Sequence, residues 1–134
     1  METRQKVVAD TSALLAVCLQ EETRQAVIKE TKGVDLIAPE SLSVEIPNAL
    51  SSHFKRGTLT LEEAMAVIQR FENIPIQQVP IDPREATRLA HALDIYAYDA
   101  YVIDTAQRHS CPILTLDRGL SQAARHVGVN VIDI

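Results

Sequence analysis

Residues 6–19, KVVADTSALLAVCL, decide how the rest of the chain is read. KVVAD (6–10) is apolar and β-branched up to an acid, the pattern of a buried strand before a turn. Thr11 or Ser12 can then cap a helix running to about Leu19. Similar alternation continues downstream. A helical stretch over about 22–31 stops near Gly33, and VDLIA (34–38) is the next strand. Pro39 suits the first turn of a helix to about Phe54, and Pro47 inside it implies a kink or break. KRGT (55–58) is a turn, and Thr60 with Glu63 forms a capping-box pattern that opens a helix to about Phe71. IQQVPI (76–81) is a weaker strand interrupted by Pro80, and Asp82-Pro83 starts a helix to about Leu93. A helix over about 99–109, the strand PILTL (112–116), a short helix to about His126 and the strand VNVIDI (129–134) complete the pattern. Strands alternating with helices predict an α/β fold, a parallel sheet covered on both faces. With no linker, repeat or low-complexity segment, residues 1–134 read as one domain.

Hydrophobic residues make up 46% of the chain and charged residues 23%, which suits a globular protein and not a disordered one. The start METRQK is charged, and the apolar run after it is far short of the ~20 residues a membrane span needs. No membrane association and a cytoplasmic location are therefore expected. Cys18 and Cys111 fall in apolar patterns without a Cys-x-x-Cys pair, and read as reduced, buried small hydrophobes.

Four acids stand out in this pattern: Asp10, Glu45 in SVEIPNAL, Asp99 in YDAYVIDTA and Asp117 in ILTLDRGL. Asp10 and Asp117 follow strands at their carboxyl ends, the edge along which open α/β sheets place their sites. Asp99 stands at the start of a helix. Glu45 lies on a helix one turn beyond Ser41, with Asn48 on the same face. Its neighbours Val44, Ile46, Ala49 and Leu50 predict a well-buried helix, where an acid needs a reason. Gathered together, such carboxylates repel one another unless a divalent cation or shared protons neutralise them. Mg²⁺ or Mn²⁺ suits all-oxygen ligands and can activate water at a phosphate, so the set points to a metal-dependent phosphodiesterase. Spacing does not choose between one ion and two. Ser12 and Thr115 supply hydroxyls beside the acids, either as supports or as simple caps. Asp104 lies about 140° around the helix from Asp99, which makes it either a surface acid or one that supports the site from behind the acids that face it.

The net charge of −5 looks wrong for a nucleic-acid enzyme. Setting the four acids aside leaves 13 basic against 14 acidic side chains, so much of the imbalance belongs to the site. Lys55 and Arg56 at the end of the Glu45 helix, and Arg118 beside Asp117, could hold flanking phosphates or simply be solvated. Tyr96, Tyr98 and Tyr101 cluster near Asp99, suited to base stacking or to packing. The four histidines show no zinc-site spacing, and there is no phosphate-binding glycine loop or serine nucleophile elbow. A phospho-acceptor receiver domain would want an acidic pair before the first helix and a lysine after the last strand, and neither is present.

VVADTSALLAV, PESLSVEIPNAL and YDAYVIDTAQRHSCPILTLDRGLSQAARHVGVNVI, in this order, resemble the PIN-domain ribonucleases, especially the VapC-like toxins of toxin–antitoxin pairs. The resemblance spans nearly the whole chain. It implies a three-layer α/β/α fold with a five-stranded parallel sheet in order 3-2-1-4-5. It also implies that Asp10, Glu45, Asp99 and Asp117 bind Mg²⁺ or Mn²⁺, with Thr115 in a supporting Thr-x-Asp element. It further implies an RNA substrate, a homodimer and a small antitoxin partner. The competing expectation is a catalytically silent PIN-like module that binds RNA or protein. Pro47, directly after Glu45 but one, is a departure that could displace the glutamate.

Overall fold

The computed structural model describes residues 4–134. Its elements alternate as expected: β1 (Lys6–Ala9), α1 (Thr11–Cys18), α2 (Arg24–Thr31), β2 (Asp35–Pro39), α3 (Leu42–Arg56), α4 (Leu61–Glu72), β3 (Ile76–Val79), α5 (Pro83–Leu93), α6 (Ala97–His109), β4 (Ile113–Leu114), α7 (Arg118–His126) and β5 (Val131–Ile132). All strand pairs are parallel, and the five strands lie in the order β3-β2-β1-β4-β5. This is the order that the resemblance implies. β1 sits in the middle, which is why Val7, Val8 and Ala9 are all buried.

Alternation along the strands sorts the core into two faces. Val8 and Ile37 point to the side where Ala86 and Leu89 of α5, Ile103 of α6 and Leu120 of α7 pack. Ala9 and Ala38 point the other way, onto Leu14 and Leu15 of α1, Leu42, Ile46 and Leu50 of α3, and Val67 of α4. Val7 and Leu114 meet Val27 of α2 on that second side. The result is three layers, with α1–α4 on one face and α5–α7 on the other. Among the described residues no helix is long and apolar enough to cross a membrane.

Local chemistry accounts for the helix starts. Thr60 and Glu63 close both halves of the capping box at the start of α4, with bonds of 3.1 and 2.9 Å. Asp82 caps α5 through Arg84 N, with Pro83 next. Gly57 ends α3 in the left-handed conformation, at φ +68°, that a glycine adopts without penalty.

Three expectations need correction. Asp10, and not Thr11 or Ser12, is the N-cap of α1; a carboxylate at the strand end reaches the third helical amide directly. Pro39 is the last residue of β2, not a helical first turn, because it continues the pairing with β3 opposite Val79. Pro47 neither breaks nor ends α3, which runs unbroken from Leu42 to Arg56. Pro47 is exposed, so the carbonyl one turn back, left without a helical N–H, can be solvated.

Candidate active site

Parallel pairing of β1 with β4 sets Ala9 beside Leu114, so the residues that follow, Asp10 and Thr115, meet at the carboxyl edge of the sheet. The Thr115 hydroxyl donates to Asp10 Oδ2 at 2.5 Å, and the Ser12 hydroxyl donates to Asp10 Oδ1 at 2.7 Å. Each hydroxyl also accepts a backbone N–H, Ser12 from Leu116 at 2.9 Å and Thr115 from Asp117 at 3.0 Å. Accepting there leaves each O–H to donate toward the carboxylate. The turn after β4 is thus fastened to the turn after β1. Asp10 also accepts from Ala13 N at 3.0 Å, and Asp117 accepts from Leu120 N at 3.1 Å. Both aspartates therefore cap helices, at helix ends where the dipole favours negative charge.

Glu45, in the first turn of α3, is reached by the Ser41 hydroxyl at 2.9 Å and the Thr11 hydroxyl at 3.2 Å. Each of its two oxygens has one of these donors, so the glutamate is held despite Pro47. Asp99, in the first turn of α6, accepts no hydrogen bond among the described residues. The helix around Glu45 is less buried than its apolar neighbours suggest. Ile46 and Leu50 are in the core, but Val44 is 59% exposed, because it lies on the outer face of α3.

The acids feel one another. Asp99 is pushed up to about 6 by burial first, then by the charges of Asp117 and Asp10. Burial raises Asp10 against the opposing hydrogen bonds from Thr115, Ala13 and Ser12, and the Asp117 charge adds to the rise. Burial also raises Glu45, against the Ser41 and Thr11 hydroxyls, with Asp10 and Asp99 adding repulsion. None of the four acids forms an ion pair among the described residues. As placed, no group of three or more His, Cys, Asp or Glu among the described residues is arranged to hold a metal ion. The donor chemistry nevertheless fits a hard divalent cation: carboxylate oxygens from four separate segments, mutually repelling and without a protein cation.

Other expected site residues lie around this cluster at different depths. Ser12 and Thr115 are part of it. Asn48 is exposed on α3, one turn from Glu45. Arg118 is exposed at the start of α7, directly after Asp117. Lys55 and Arg56 are exposed at the far end of α3, about 15 Å along the helix from Glu45, outside the cluster. Asp104 is not a surface acid. It is 2% exposed and bonded by Arg108 at 2.9 Å, while Arg108 also donates to the Pro80 carbonyl. The Asp-Arg spacing of four was the available signal for that pair. Tyr101 packs against the core, whereas Tyr96 and Tyr98 are exposed. The support of Glu45 by Thr11 was missed, since those residues are 34 apart in sequence.

The family model for the PIN domain matches residues 7–126. The chain belongs to the PIN domain family. Relatives of this PIN domain include Ribonuclease VapC3 of Pyrobaculum aerophilum, 28% identical over 122 residues, covering 87% of this chain and 93% of that protein. Ribonuclease VapC12 of Mycobacterium tuberculosis is 28% identical over 123 residues, covering 90% of this chain and 93% of the relative. Two crystal structures share the PIN fold. PAE2754 from Pyrobaculum aerophilum has a TM-score of 0.71 at 20% identity, over 95% of this chain and 83% of that one. FitAcB from Neisseria gonorrhoeae has a TM-score of 0.63 at 18% identity, over 95% and 96%.

Proposed function

We propose that this PIN domain is a Mg²⁺- or Mn²⁺-dependent endoribonuclease, the toxin of a toxin–antitoxin pair, acting as a single domain over residues 1–134. The observation that carries the reading is the set of four unpaired acids at one sheet edge, each raising or being raised by a neighbour's charge. The relatives named as VapC ribonucleases support the substrate class. Asp10, Glu45, Asp99 and Asp117 would hold the ion, which when bound supplies a water of lowered pKa and charge stabilisation at the phosphate.

The chain's own residues do the rest. Ser12 and Thr115 orient Asp10, and Ser41 and Thr11 orient Glu45, so the carboxylates are positioned before substrate arrives. Asp99 accepts no hydrogen bond among the described residues and is raised to about 6 by burial and by the charges of Asp117 and Asp10, so an ion held there would relieve that repulsion. Arg118, directly after Asp117, would hold a phosphate there, with Lys55 and Arg56 as more distant contacts. We extend the reading to a homodimer in the cytoplasm and a small antitoxin.

The purified protein is expected to cleave RNA with Mg²⁺ or Mn²⁺, to stop in EDTA, and to lose activity in Asp10→Asn and Asp99→Asn. Cleavage that persists unchanged in chelator and in both variants would falsify the assigned site. RNA binding without cleavage under any divalent ion would instead favour a silent binding module. For the toxin role, expression should arrest growth, and a small protein encoded beside this gene should relieve the arrest.

A further inference from the structure

A cleft of about 500 Å³ opens beside the acidic site, between α7, the start of α2 and the end of β5. Thr115, whose hydroxyl holds Asp10, also lines it, so cleft and acids share a wall. Arg118, Ser121, Gln122 and Arg125 line it from α7, at offsets of three, four and seven residues. That spacing puts all four on one helical face, while Leu120 and Ala124 bury the other. In a chain of net charge −5, α7 carries two arginines and no acid. Arg118 is exposed and has no ion-pair partner among the described residues. Asp133, which also lines the cleft, is paired with Arg125 at 2.5 Å through a single guanidinium nitrogen, which leaves that arginine's other donors available.

We propose that this cleft is a subsite for the RNA backbone flanking the bond to be cut, an inference that rests on the nuclease reading of the four acids. Arg118 and Arg125 stand about 10 Å apart along α7 and would contact separate phosphates of one extended strand. Ser121 and Gln122 between them offer hydrogen bonds to the intervening phosphate and sugar oxygens. The contacts are to backbone groups, so the subsite adds affinity and direction and little sequence preference. It also answers the acidic net charge: the basic groups are few but lie on the path that leads away from the acids.

The test uses a fluorescein-labelled single-stranded oligoribonucleotide and fluorescence anisotropy over a salt series, with Asp99→Asn as the cleavage-silent background. Arg118→Gln and Arg125→Gln should each weaken binding several-fold and lower the salt slope by about one. Gln122→Glu changes an exposed side chain and should weaken binding through repulsion, so a folding defect in the Arg125 variant cannot decide the matter. In the unaltered background the same changes should raise KM more than they lower kcat. Affinity and salt slope that stay the same across all three variants overturn the cleft. If the unaltered protein cleaves RNA while that holds, the nuclease reading stands and this inference falls. Weakened binding by a protein that never cleaves RNA supports the cleft as an RNA site and removes the nuclease reading.

Discussion

Asp99 is half-buried among like charges with no hydrogen bond, and that position costs the fold stability at neutral pH. Its carboxyl is raised from 3.8 to about 6, so folding favours the protonated form. The contribution is most favourable below pH 3.8 and is lost as pH rises through about 6. Asp99→Asn is therefore expected to stabilise the metal-free protein at pH 7.5 by about 1 kcal/mol, once solvent screening is allowed for. The gain should disappear near pH 4 in urea titrations at the two pH values. Mg²⁺ should raise the unfolding midpoint of the unaltered protein and have a smaller effect on the variant. Thr115 makes the opposite kind of contribution. Thr115→Val keeps the shape but removes the donor to Asp10 and the acceptor for Asp117 N, at a cost of about 1–2 kcal/mol. Activity should fall with it, because Asp10 is then held by Ser12 and Ala13 alone. Circular dichroism melts alongside RNA cleavage assays would separate the two losses.

At the scale of elements, α3 shows a helix carrying an interior proline for which the rest of the helix compensates. Ile46 and Leu50 anchor it in the core and Gly57 closes its end, so one missing backbone hydrogen bond does not break it. Pro47→Ala restores that bond at an exposed position and is expected to stabilise the protein by about 1–3 kcal/mol, read as a higher thermal midpoint. An unchanged midpoint would mean that the helix already bends to accommodate the proline. The elements whose ends are set by local chemistry were the legible ones. The Thr60–Glu63 capping box and the Asp82-Pro83 start appear where the spacing predicts them. Pro39 was misread for the same reason, since a proline also suits a strand's end when its partner strand runs on one side.

For the whole molecule, the Asp104–Arg108–Pro80 link ties α6 to the segment after β3 and so fixes the helix that carries Asp99. Burial is the largest influence on the Asp104 carboxyl and raises it. The Arg108 charge and hydrogen bond oppose that rise, and Asp82 and Glu85 add to it, so the buried acid depends on its arginine. Arg108→Ala should destabilise by about 2 kcal/mol, and adding Asp104→Ala should cost less than the two single losses together. Urea unfolding of the three variants measures that difference. The residues by themselves specified strands alternating with helices, helix starts and stops, and four acids, two of them ending strands and two within or at the start of helices. Those features depend on contacts within a few residues, which periodicity and capping chemistry express directly. The α/β class follows from them; the 3-2-1-4-5 order was implied by family resemblance and needed the pairing of β1 with β4 to be seen. Folding alone brought Thr115 onto Asp10, separated by 105 positions, and Thr11 onto Glu45, turned Val44 outward and Asp104 inward, and lined a cleft with one face of α7. These depend on which strands become neighbours and which helix face meets the sheet. Such choices are settled by packing the whole chain at once, and apart from the Asp104–Arg108 spacing no local pattern records them.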